Sequence, residues 1–429
     1  MNLRHRKTCR VCKSTALREV INLGSQYLQG AFLKPEMETP SLRKVPCTLV
    51  RCDPETDESA CGLLQMRASV PPEILYSSYW YRSGTNKTMR GHLAEIVTKA
   101  LPFINNLAGK VSVLDIGCND CTLLSNYPKG WRRVGIDPSD IVVCQSLAKI
   151  KVIKDVFPSD ELRRLLVKGK FNIITSIAMF YDLEDPVEFA AAIQEVLEKD
   201  GVWILEMSYM PRMLELNSYD TICGEHLEYY SFSVIENIMG RAGLKVFRAE
   251  LNESNGGSIR CYVTHASCKT HQRPELDAAL RKIRRQEFDL ELDTDKPYKE
   301  FQGKIQKHRE DLHFLLARLK GQGKRIHIYG ASTKGNTILQ WCKITNEMIE
   351  CAADRNPEKD GASTIGTDIP IVSEARSREM KPDFYLVLPW HFKKEFLSRE
   401  RAALEQGTGF IFPLPEIEIV SAYSGTQKV

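Results

Sequence analysis

The sequence lacks the features that would place it in a membrane or in the secretory pathway. It has no uninterrupted apolar run of roughly 18 residues, so we expect no membrane-spanning helix. It begins with MNLRHRKTCRVCKS, which is basic but has no apolar h-region, so no secretory signal is expected. Internal repeats and low-complexity tracts are also missing. These observations predict a cytoplasmic protein that does not bind membranes.

The sequence also has little excess of charge of either sign. Its 59 Lys and Arg residues stand against 55 Asp and Glu residues, which gives a formal net charge of +4. Such a balance, without an aromatic and basic patch, argues against a nucleic acid partner. At 429 residues with 43% apolar content, the chain is long enough for two or three domains with real cores.

Cysteine is the residue type that needs an explanation. The 13 cysteines are odd in number and follow no signal, so they are more typical of free thiols or metal ligands than of a disulfide framework. Cys9 and Cys12 form a C-x2-C knuckle, and Cys52 and Cys61 supply a second pair, with Cys47 as a competing candidate. Four thiolates suit a closed tetrahedral Zn²⁺ site, which would be structural because no position stays open for chemistry. A set of thiols without metal is the alternative.

Composition and the pattern of apolar runs divide the chain into three regions, which we predict to be domains of residues 1–75, 76–268 and 269–429. The first is rich in Cys, Pro and Gly, and the second alternates apolar strands with helical patterns, as a parallel α/β sheet does. The third opens with a charged connector of exposed helices over 272–324 and continues as a second α/β pattern. The predicted strands lie within 111–117, 132–137, 151–155, 171–176, 201–208, 325–333, 349–356 and 383–390.

The middle region carries a nucleotide-type turn. The segment 113–120, VLDIGCND, is a strand followed by a glycine turn, and the next two strands end in Asp137 and Asp155. A carboxylate at the end of the second strand commonly accepts both hydroxyls of a ribose. The turn lacks the G-x-G-x-x-G fingerprint of an NAD site, and its D-I-G-x-x-D pattern is similar to class I S-adenosylmethionine methyltransferases. The predicted cofactor residues are Asp115, Gly117, Asn119, Asp120, Asp137 and Asp155.

A histidine next to a glutamate follows the last apolar strand of this region. Glu225 and His226 lie in the tyrosine-rich segment 219–231, and a carboxylate next to an imidazole suits proton transfer near neutral pH. The order is E-H with no second histidine, so the segment is not an H-E-x-x-H zinc helix. A surface loop is the alternative for such a dipeptide.

The third region repeats the strand–turn–helix pattern. Gly330-Ala-Ser-Thr-Lys334-Gly335-Asn336 follows a strand, and Asp354 ends the next one. Small residues let backbone amides approach a phosphate, and Lys334 adds positive charge. The order is not that of a P-loop, and a turn that serves packing alone is an equal alternative.

Several motifs in one order resemble a known family, the nucleotide-sugar C-methyltransferases that make branched deoxysugars. C-R-V-C-K-S with the later cysteines resembles the family's zinc-binding domain, and VLDIGCNDCTLL resembles its cofactor turn. The segments around Tyr79 and Tyr81, Asn255 to Arg260, and Trp390 resemble further family stretches. The resemblance implies a class I methyltransferase Rossmann-like domain, a small zinc module and a second Rossmann-like domain for the nucleotide sugar. The substrate residues that it implies are Tyr79, Asn255, Arg260, Lys334, Asn336, Asp354 and Trp390, although Arg260 could equally be a surface arginine.

The resemblance also implies a mechanism. A base removes the proton next to the ketone of a nucleotide-linked 4-keto sugar, donors stabilise the enolate, and its carbon takes the methyl group of S-adenosylmethionine. His226 is then the base and Glu225 its companion. The family's Tyr-His-Glu-His is replaced by Cys223-Gly224-Glu225-His226, and Asp182 stands where many members have a histidine. Tyr81 is implied to be an active-site tyrosine.

The substitution at Cys223 leaves the enolate without its family donor, because a thiol replaces a phenol poorly. Tyr229, Tyr230 and Tyr81 are the candidates to replace it. The predicted activity is C-methylation in deoxysugar or polysaccharide biosynthesis, with S-adenosylmethionine and structural Zn²⁺ bound, by a monomer or weak homodimer. The alternatives are O- or N-methylation of a nucleotide sugar or related small molecule, and a zinc-dependent scaffold without catalysis.

Overall fold

A computed structural model describes residues 3–35, 44–75, 82–104, 110–141, 149–271, 273–422 and 425–428. The side chains of residues 72 and 73 are outside this description. No helix among the described residues is both long enough and apolar enough to cross a membrane. The tyrosines predicted at Tyr79 and Tyr81 lie outside the described residues.

The first region is built mainly from antiparallel strands. Its elements are β1 (Arg4–His5), β2 (Leu17–Gln26), β3 (Phe32–Leu33), β4 (Val45–Cys52), β5 (Leu64–Met66), β6 (Ala68–Ser69) and helix α1 (Pro72–Leu75). Strand β4 pairs with β2 on one side and β5 on the other. Almost every side chain of β4 is buried, because the strand contacts other elements on both faces.

The middle region folds as a seven-stranded sheet flanked by helices. The strands are β7 (Ser112–Ile116), β8 (Arg132–Ile136), β9 (Ile150–Ile153), β10 (Phe171–Ile177), β11 (Leu197–Ser208), β12 (Glu228–Tyr229), β13 (Leu244–Asn252) and β14 (Ser258–His265). The helices are α2 (Lys87–Ala100), α3 (Thr122–Ser125), α4 (Asp160–Leu165), α5 (Pro186–Val196), α6 (Met210–Glu215) and α7 (Phe232–Arg241). The sheet order is β13-β14-β11-β10-β7-β8-β9, and β12 is not part of it.

The direction of the strands shows where this sheet can bind a ligand. Strands β7 to β11 are parallel, whereas β14 is antiparallel to β11 and β13 to β14. The strand order reverses between β7 and β10, which is the switch point at which open α/β sheets bind ligands outside their carboxyl ends. The strands predicted from the apolar runs of this region are confirmed within a few residues.

The third region opens with two helices and continues as a second sheet. The helices are α8 (Pro274–Asp289), α9 (Lys296–Gly321), α10 (Thr333–Trp341), α11 (Glu374–Glu379), α12 (Lys393–Arg399) and α13 (Arg401–Glu405). The strands are β15 (Ile326–Tyr329), β16 (Cys351–Asp354), β17 (Ser363–Thr364), β18 (Ile371–Ser373), β19 (Phe384–Val387), β20 (Gly409–Phe412), β21 (Glu418–Ser421) and β22 (Gly425–Lys428). The order β18-β16-β15-β19-β20-β21-β22 places a second switch point between β15 and β19.

The helices over 272–324 are less exposed than the charged sequence predicted. Helix α9 buries Leu312, Leu315, Leu316 and Leu319, the face that the apolar spacing indicates. These leucines share one core with side chains of β2, β4 and β5 and with the second sheet. The charges cover only the outer face, so α9 belongs to the core that joins the first and third regions.

Two short strand pairs connect the first region to the other two. Strand β12 adds to the edge of β5, with Glu228 opposite Gln65 and Tyr229 opposite Leu64. Strand β17 pairs with β3, with Thr364 opposite Phe32. The cysteine-rich region therefore contacts both α/β units by backbone hydrogen bonds, close to the segment that carries Glu225 and His226.

Candidate active site

All three regions contribute to one cavity of about 680 Å³. Its wall includes the carboxyl ends of β7, β8 and β10, the Glu225–His226 segment, and the turn after β15. The predicted site residues that line it are Asp115, Gly117, Asn119, Asp137, Asp155, Asp182, Glu225, His226, Asn255, Lys334 and Asp354. The most distant of these residues in the sequence, Asp115 and Asp354, are 239 positions apart and line the same cavity.

The turn after β7 is shaped by left-handed backbone. Gly117 has φ +71°, and a Cβ there would lie 3.2 Å from Met179 Cγ, so a side chain is disfavoured by both conformation and space. Asn119 also has a positive φ, and its amide donates to Asp137 Oδ2 at 2.8 Å. The turn therefore lies directly against the end of β8.

Asp137 keeps acceptor capacity toward the cavity. Its Oδ1 accepts from the amide of Ser139 at 2.8 Å and from the Ser139 hydroxyl at 2.6 Å. With the Asn119 amide, these contacts use three of the roughly four acceptor positions of a carboxylate and fix its orientation. The geometry suits recognition of a ribose hydroxyl.

Asp115 lines the cavity, whereas Asp120 does not. Asp115 is buried and accepts from Thr175 Oγ1 at 2.5 Å, and burial raises its pKa to about 7, with the nearby Asp137 adding to the shift. Asp120 accepts from the amide of Gly84 at 2.7 Å and from the Thr122 hydroxyl at 2.7 Å. Asp120 thus connects the segment before α2, which contains Gly84, to the turn after β7.

The imidazole of His226 is held in one orientation by its neighbours. Its Nδ1 lies 2.7 Å from the carbonyl oxygen of Thr221, so Nδ1 carries the proton and Nε2 keeps its lone pair. The ring packs against Tyr181 with centroids 4.3 Å apart. Burial, with the positive charge of Lys334 in second place, lowers the pKa of His226 to about 3, so the ring is neutral near neutral pH.

Glu225 is held by the first region. A Cβ on Gly30 would lie 1.9 Å from Glu225 Oε1, so the carboxylate in its present position uses the space left by the missing side chain of Gly30. The neighbouring Gln29 accepts from the Gly224 amide at 3.0 Å. Burial raises the pKa of Glu225 to about 7, which makes it a stronger base than an ordinary glutamate.

Two of the three tyrosines expected to replace the missing family tyrosine, Tyr229 and Tyr230, have other partners, and the third, Tyr81, lies outside the described residues. Cys223 is fully buried, and it does not line the cavity. The Tyr229 hydroxyl lies near the carbonyl oxygens of His226 and Thr221, and the Tyr230 hydroxyl donates to the Phe180 carbonyl oxygen at 3.3 Å. Neither tyrosine lines the large cavity.

The turn after β15 forms the other end of the cavity. Gly330 has φ +85°, and a Cβ there would lie 2.6 Å from Pro389 Cγ. Lys334, in the first turn of α10, donates to the carbonyl oxygen of Asn255 at 2.9 Å and so fastens the turn to the middle region. Asp354 lies 3.4 Å from Lys359 Nζ, whose ammonium also contacts the Phe32 ring.

Three predicted substrate residues have other partners. Arg260 is buried and its Nε donates to Glu206 Oε2 at 2.7 Å, so it does not face a phosphate in the cavity. Asn336 is buried and its Nδ2 donates to the carbonyl oxygen of Gln29 at 2.7 Å. Trp390 donates from Nε1 to Asp220 Oδ2 at 2.9 Å. Asn336 and Trp390 thus join the third region to the other two, whereas Arg260 and Glu206 lie opposite each other on adjacent strands of one sheet.

Sequence reasoning missed two cavity residues that contact each other. His92 of α2 and Glu206 of β11 both line the cavity, and His92 Nε2 bonds Glu206 Oε1. The available signal was an acidic residue within the apolar strand 201–208. Its partner could not be found from spacing, since the two residues are 114 positions apart.

The four predicted metal ligands meet at one point. The Sγ atoms of Cys9, Cys12, Cys52 and Cys61 all lie within 4.8 Å of one another, and the closest pairs are separated by 3.4 and 3.5 Å. A tetrahedral Zn²⁺ with thiolates at about 2.3 Å needs sulfur atoms about 3.8 Å apart, so the group fits zinc. Cys47 lies apart and contacts Gln29 and Val45 instead, which decides between the two candidates.

Family models match the chain in three consecutive segments. A zinc binding domain matches residues 9–76, a methyltransferase domain residues 85–249, and the C-methyltransferase C-terminal domain residues 253–415. The C-methyltransferase NovU of Streptomyces niveus is 26% identical over 419 residues, which are 97% of each chain. The chain is thus similar to C-methyltransferases along almost its whole length. It is an S-adenosylmethionine-dependent enzyme with a zinc-binding N-terminal domain.

Two further matches cover only part of this C-methyltransferase. A tRNA U34 carboxymethyltransferase of Pseudoalteromonas translucida is 34% identical over 124 residues, which are 25% of this chain and 35% of the relative. The structure of an S-adenosylmethionine-dependent methyltransferase from Clostridium acetobutylicum aligns with 41% of this chain and 92% of its own, at 14% identity and a TM-score of 0.33.

The cofactor end of the cavity fits S-adenosylmethionine. Gly117 leaves space beside Met179, Asp137 retains acceptor capacity for a ribose, and Asp155 lies at the end of the next strand. The cofactor supplies an electrophilic methyl group on a sulfonium cation, and the carboxylates around this end suit that positive charge.

Proposed function

We propose that this C-methyltransferase acts on a nucleotide-linked keto sugar and methylates the carbon next to the ketone, in deoxysugar or polysaccharide biosynthesis. In this proposal residues 1–75 bind zinc, 76–268 bind the cofactor, and 269–429 bind the nucleotide. The observation that carries it is the single cavity that connects the turn after β7 with the turn after β15 past His226.

The two ends of the cavity have opposite charge. The part contributed by residues 82–255 has one arginine, Arg82, and seven carboxylic residues, which are Asp115, Asp137, Asp155, Asp182, Glu184, Glu206 and Glu225. The part contributed by the third region has four basic residues against two acidic ones; the basic ones are Lys334, Arg355, Lys359 and Arg399. An acidic end suits a sulfonium cofactor, and a basic end suits the diphosphate of a nucleotide sugar.

The base in this proposal is His226. Its Nε2 holds a lone pair, because Nδ1 donates to the Thr221 carbonyl oxygen. The proton next to the ketone is acidic, since the negative charge moves to the ketone oxygen when the C–H bond breaks. Lys334 lies near His226 and adds positive charge at the point where that negative charge develops.

Glu225 gives the removed proton a second acceptor. Its carboxylate is adjacent to His226 in sequence, lines the same cavity, and has a pKa raised to about 7 by burial. A group with a pKa near the working pH exchanges protons efficiently, so Glu225 can take the proton onward from the imidazole. Gly30, which has no side chain, leaves the space that this carboxylate occupies.

The test is the position of the new methyl group. We expect the enzyme, given a nucleotide 4-keto sugar and S-adenosylmethionine labelled with ¹³C in the methyl group, to form a product whose labelled carbon couples to a ring carbon in the NMR spectrum. His226→Gln should abolish this product. A methyl carbon attached to oxygen or nitrogen would overturn the proposal in favour of O- or N-methylation, and no turnover with any nucleotide keto sugar would refute the substrate class.

A further inference from the structure

We propose that His92, oriented by Glu206, is a second catalytic imidazole, which donates a hydrogen bond to the ketone oxygen of the sugar as it becomes an enolate. The proposal rests on the proposed function, since it assigns a role within the same reaction. It supplies a hydrogen-bond donor for the enolate oxygen. Among the described residues, Cys223 is buried away from the cavity, and the hydroxyl groups of Tyr229 and Tyr230 have other partners.

Glu206 is a fixed, ionised carboxylate. It is buried near the carboxyl end of β11, and its two oxygens accept from three side chains of different elements. His92 Nε2 bonds Oε1, whereas Arg260 Nε and Asn252 Nδ2 donate to Oε2 at 2.7 and 2.9 Å. Burial alone would raise the pKa of Glu206, but the contacts with His92 and Arg260 outweigh it and hold the pKa below its usual range.

Glu206 is not the only carboxylate near Arg260. Arg260 Nη1 lies 3.6 Å from Glu95 and 3.9 Å from Glu250. The arginine is therefore shared among three carboxylates, and Glu206 keeps negative charge available for His92. A carboxylate behind an imidazole fixes its orientation and stabilises the ring when it carries two protons.

The remaining nitrogen of His92 is available to a ligand. The ring lines the cavity with 14% of its side chain exposed, and Nδ1 has no hydrogen-bond partner among the described residues. A ring whose other nitrogen is tied to a buried carboxylate cannot turn away without breaking that contact. Nδ1 is thus the polar atom that His92 offers to the substrate.

One short segment relates His92 to the base. The amide of Ala178 donates to the carbonyl oxygen of Glu206 at 2.8 Å, and three residues later the Tyr181 ring packs on His226. Both imidazoles therefore flank the end of β10, beside the switch point of the sheet. The charges next to them are opposite, since His226 has Lys334 nearby and His92 has Glu206.

Because their charged neighbours have opposite signs, the two imidazoles are suited to different roles, His226 as base and His92 as hydrogen-bond donor. The neutral His226 takes the proton through Nε2 as the C–H bond breaks, and the electron pair moves to the ketone oxygen. His92, whose Nε2 is held by the Glu206 carboxylate, donates a hydrogen bond from Nδ1 to that oxygen. The carbon then forms its bond to the methyl group as the methyl–sulfur bond breaks, and the ketone is restored.

The test separates proton removal from cofactor binding. Exchange of the proton next to the ketone is followed by NMR in deuterated water, with S-adenosylhomocysteine in place of the methyl donor. We expect His92→Gln to slow exchange by about 100-fold, as loss of one preorganised donor does, with the affinity for S-adenosylmethionine changed less than about 3-fold. Glu206→Gln should slow it less, by about 10-fold, because the ring keeps a hydrogen-bonded partner without its charge.

The matched control is His265→Gln. His265 ends β14 near the amino end of β11, at the opposite end of these strands from the cavity, and its Nε2 contacts the carbonyl oxygen of Leu197. The His265→Gln variant should exchange the substrate proton at the wild-type rate. Wild-type exchange in His92→Gln would overturn the proposal while leaving the proposed function intact. Loss of S-adenosylmethionine binding in His92→Gln would also overturn it and make His92 a cofactor residue. Absence of exchange in the wild type would instead refute the proposed function.

Discussion

The turns after β7 and after β15 have the same sequence design and opposite electrostatics. Each consists of a strand, a glycine with positive φ and a helix, and in each the next strand is followed or ended by an aspartate. Asp137 accepts from backbone amides and a hydroxyl and keeps its negative charge uncompensated by a cation among the described contacts. Asp354 faces the ammonium of Lys359.

The comparison indicates that the charges of the neighbouring side chains determine which kind of ligand such a turn suits. Neutral donors around Asp137 leave an acceptor for hydroxyl groups, whereas Lys359 and Lys334 turn the second end basic. The helices differ as well, because α3 has four residues and α10 has nine, with its Ser332 side chain accepting from the Gly335 amide. In the proposed function, these two turns of one pattern bind a cationic cofactor and an anionic substrate in one cavity.

Loss of zinc should disrupt both ends of the cavity, and we expect it to have the largest effect on activity. The first region pairs with β12 beside His226 and with β17 of the third region, so its unfolding removes support from both. We expect the Cys12→Ser, Cys52→Ser double variant to lose its zinc and at least about 100-fold of its activity, since structural zinc supplies folding energy. Zinc content and thermal unfolding check this, with Cys47→Ala as the matched control that keeps its metal. Full activity without zinc would contradict the account.

Asp137→Asn should separate the two ends. The amide keeps the size of the carboxylate but loses its charge, so we expect S-adenosylmethionine to bind about 10- to 100-fold more weakly. The affinity for a nucleotide sugar should stay within about 2-fold. Calorimetric titration of each ligand measures both effects, and Asp354→Asn is the paired variant. If Asp137→Asn weakened only the nucleotide sugar, the assignment of the ends would be reversed.

Lys334→Met should act on the basic end. Without its ammonium, a nucleotide sugar should bind about 10-fold more weakly, because one charge-assisted contact is lost. The pKa of His226 should rise, since Lys334 is one cause of its lowering. Titration of the His226 ring by NMR tests the second effect independently of any substrate. An unchanged His226 pKa together with unchanged affinity would place Lys334 outside the site.

The smallest effect concerns the acidic end and pH. Burial raises the pKa of Glu225 from 4.5 to about 7, so the folded chain retains a proton that the unfolded chain has released between these values. This group therefore makes the fold less stable as pH rises through that window. Glu225→Gln should raise the unfolding temperature by a few degrees at pH 8 and by little at pH 4. Glu195→Gln on the exposed face of α5 is the control, and an equal shift at both pH values would contradict the prediction.

Local patterns allowed much of this structure to be predicted. The strands, both glycine turns and the four metal ligands depend on residues that are close in sequence or of a distinctive type, such as Gly117 or Cys9. Family resemblance then predicted the order of the domains, which the three matches follow. The roles of the individual site residues remain predictions.

Contacts between distant segments could not be predicted. The sequence allows Arg260 to be a substrate residue or a surface arginine, because nothing in its own segment shows Glu206, which is 54 positions away. For the same reason the pairing of β12 with β5 had no local signal, and Glu206 in its apolar strand did not show that His92 is its partner. A polar residue in an apolar strand indicates a buried partner, but the fold alone identifies which one.

Solvent exchange at the carbon next to the ketone tests the central claim most directly. The wild-type enzyme, with S-adenosylhomocysteine and a nucleotide 4-keto sugar in deuterated water, should incorporate one deuterium at that carbon before any methyl group is transferred. His226→Gln should bind both ligands and incorporate none. Methylation by the wild type without exchange, or exchange that persists in His226→Gln, would contradict proton removal by His226 between the two ends of the cavity.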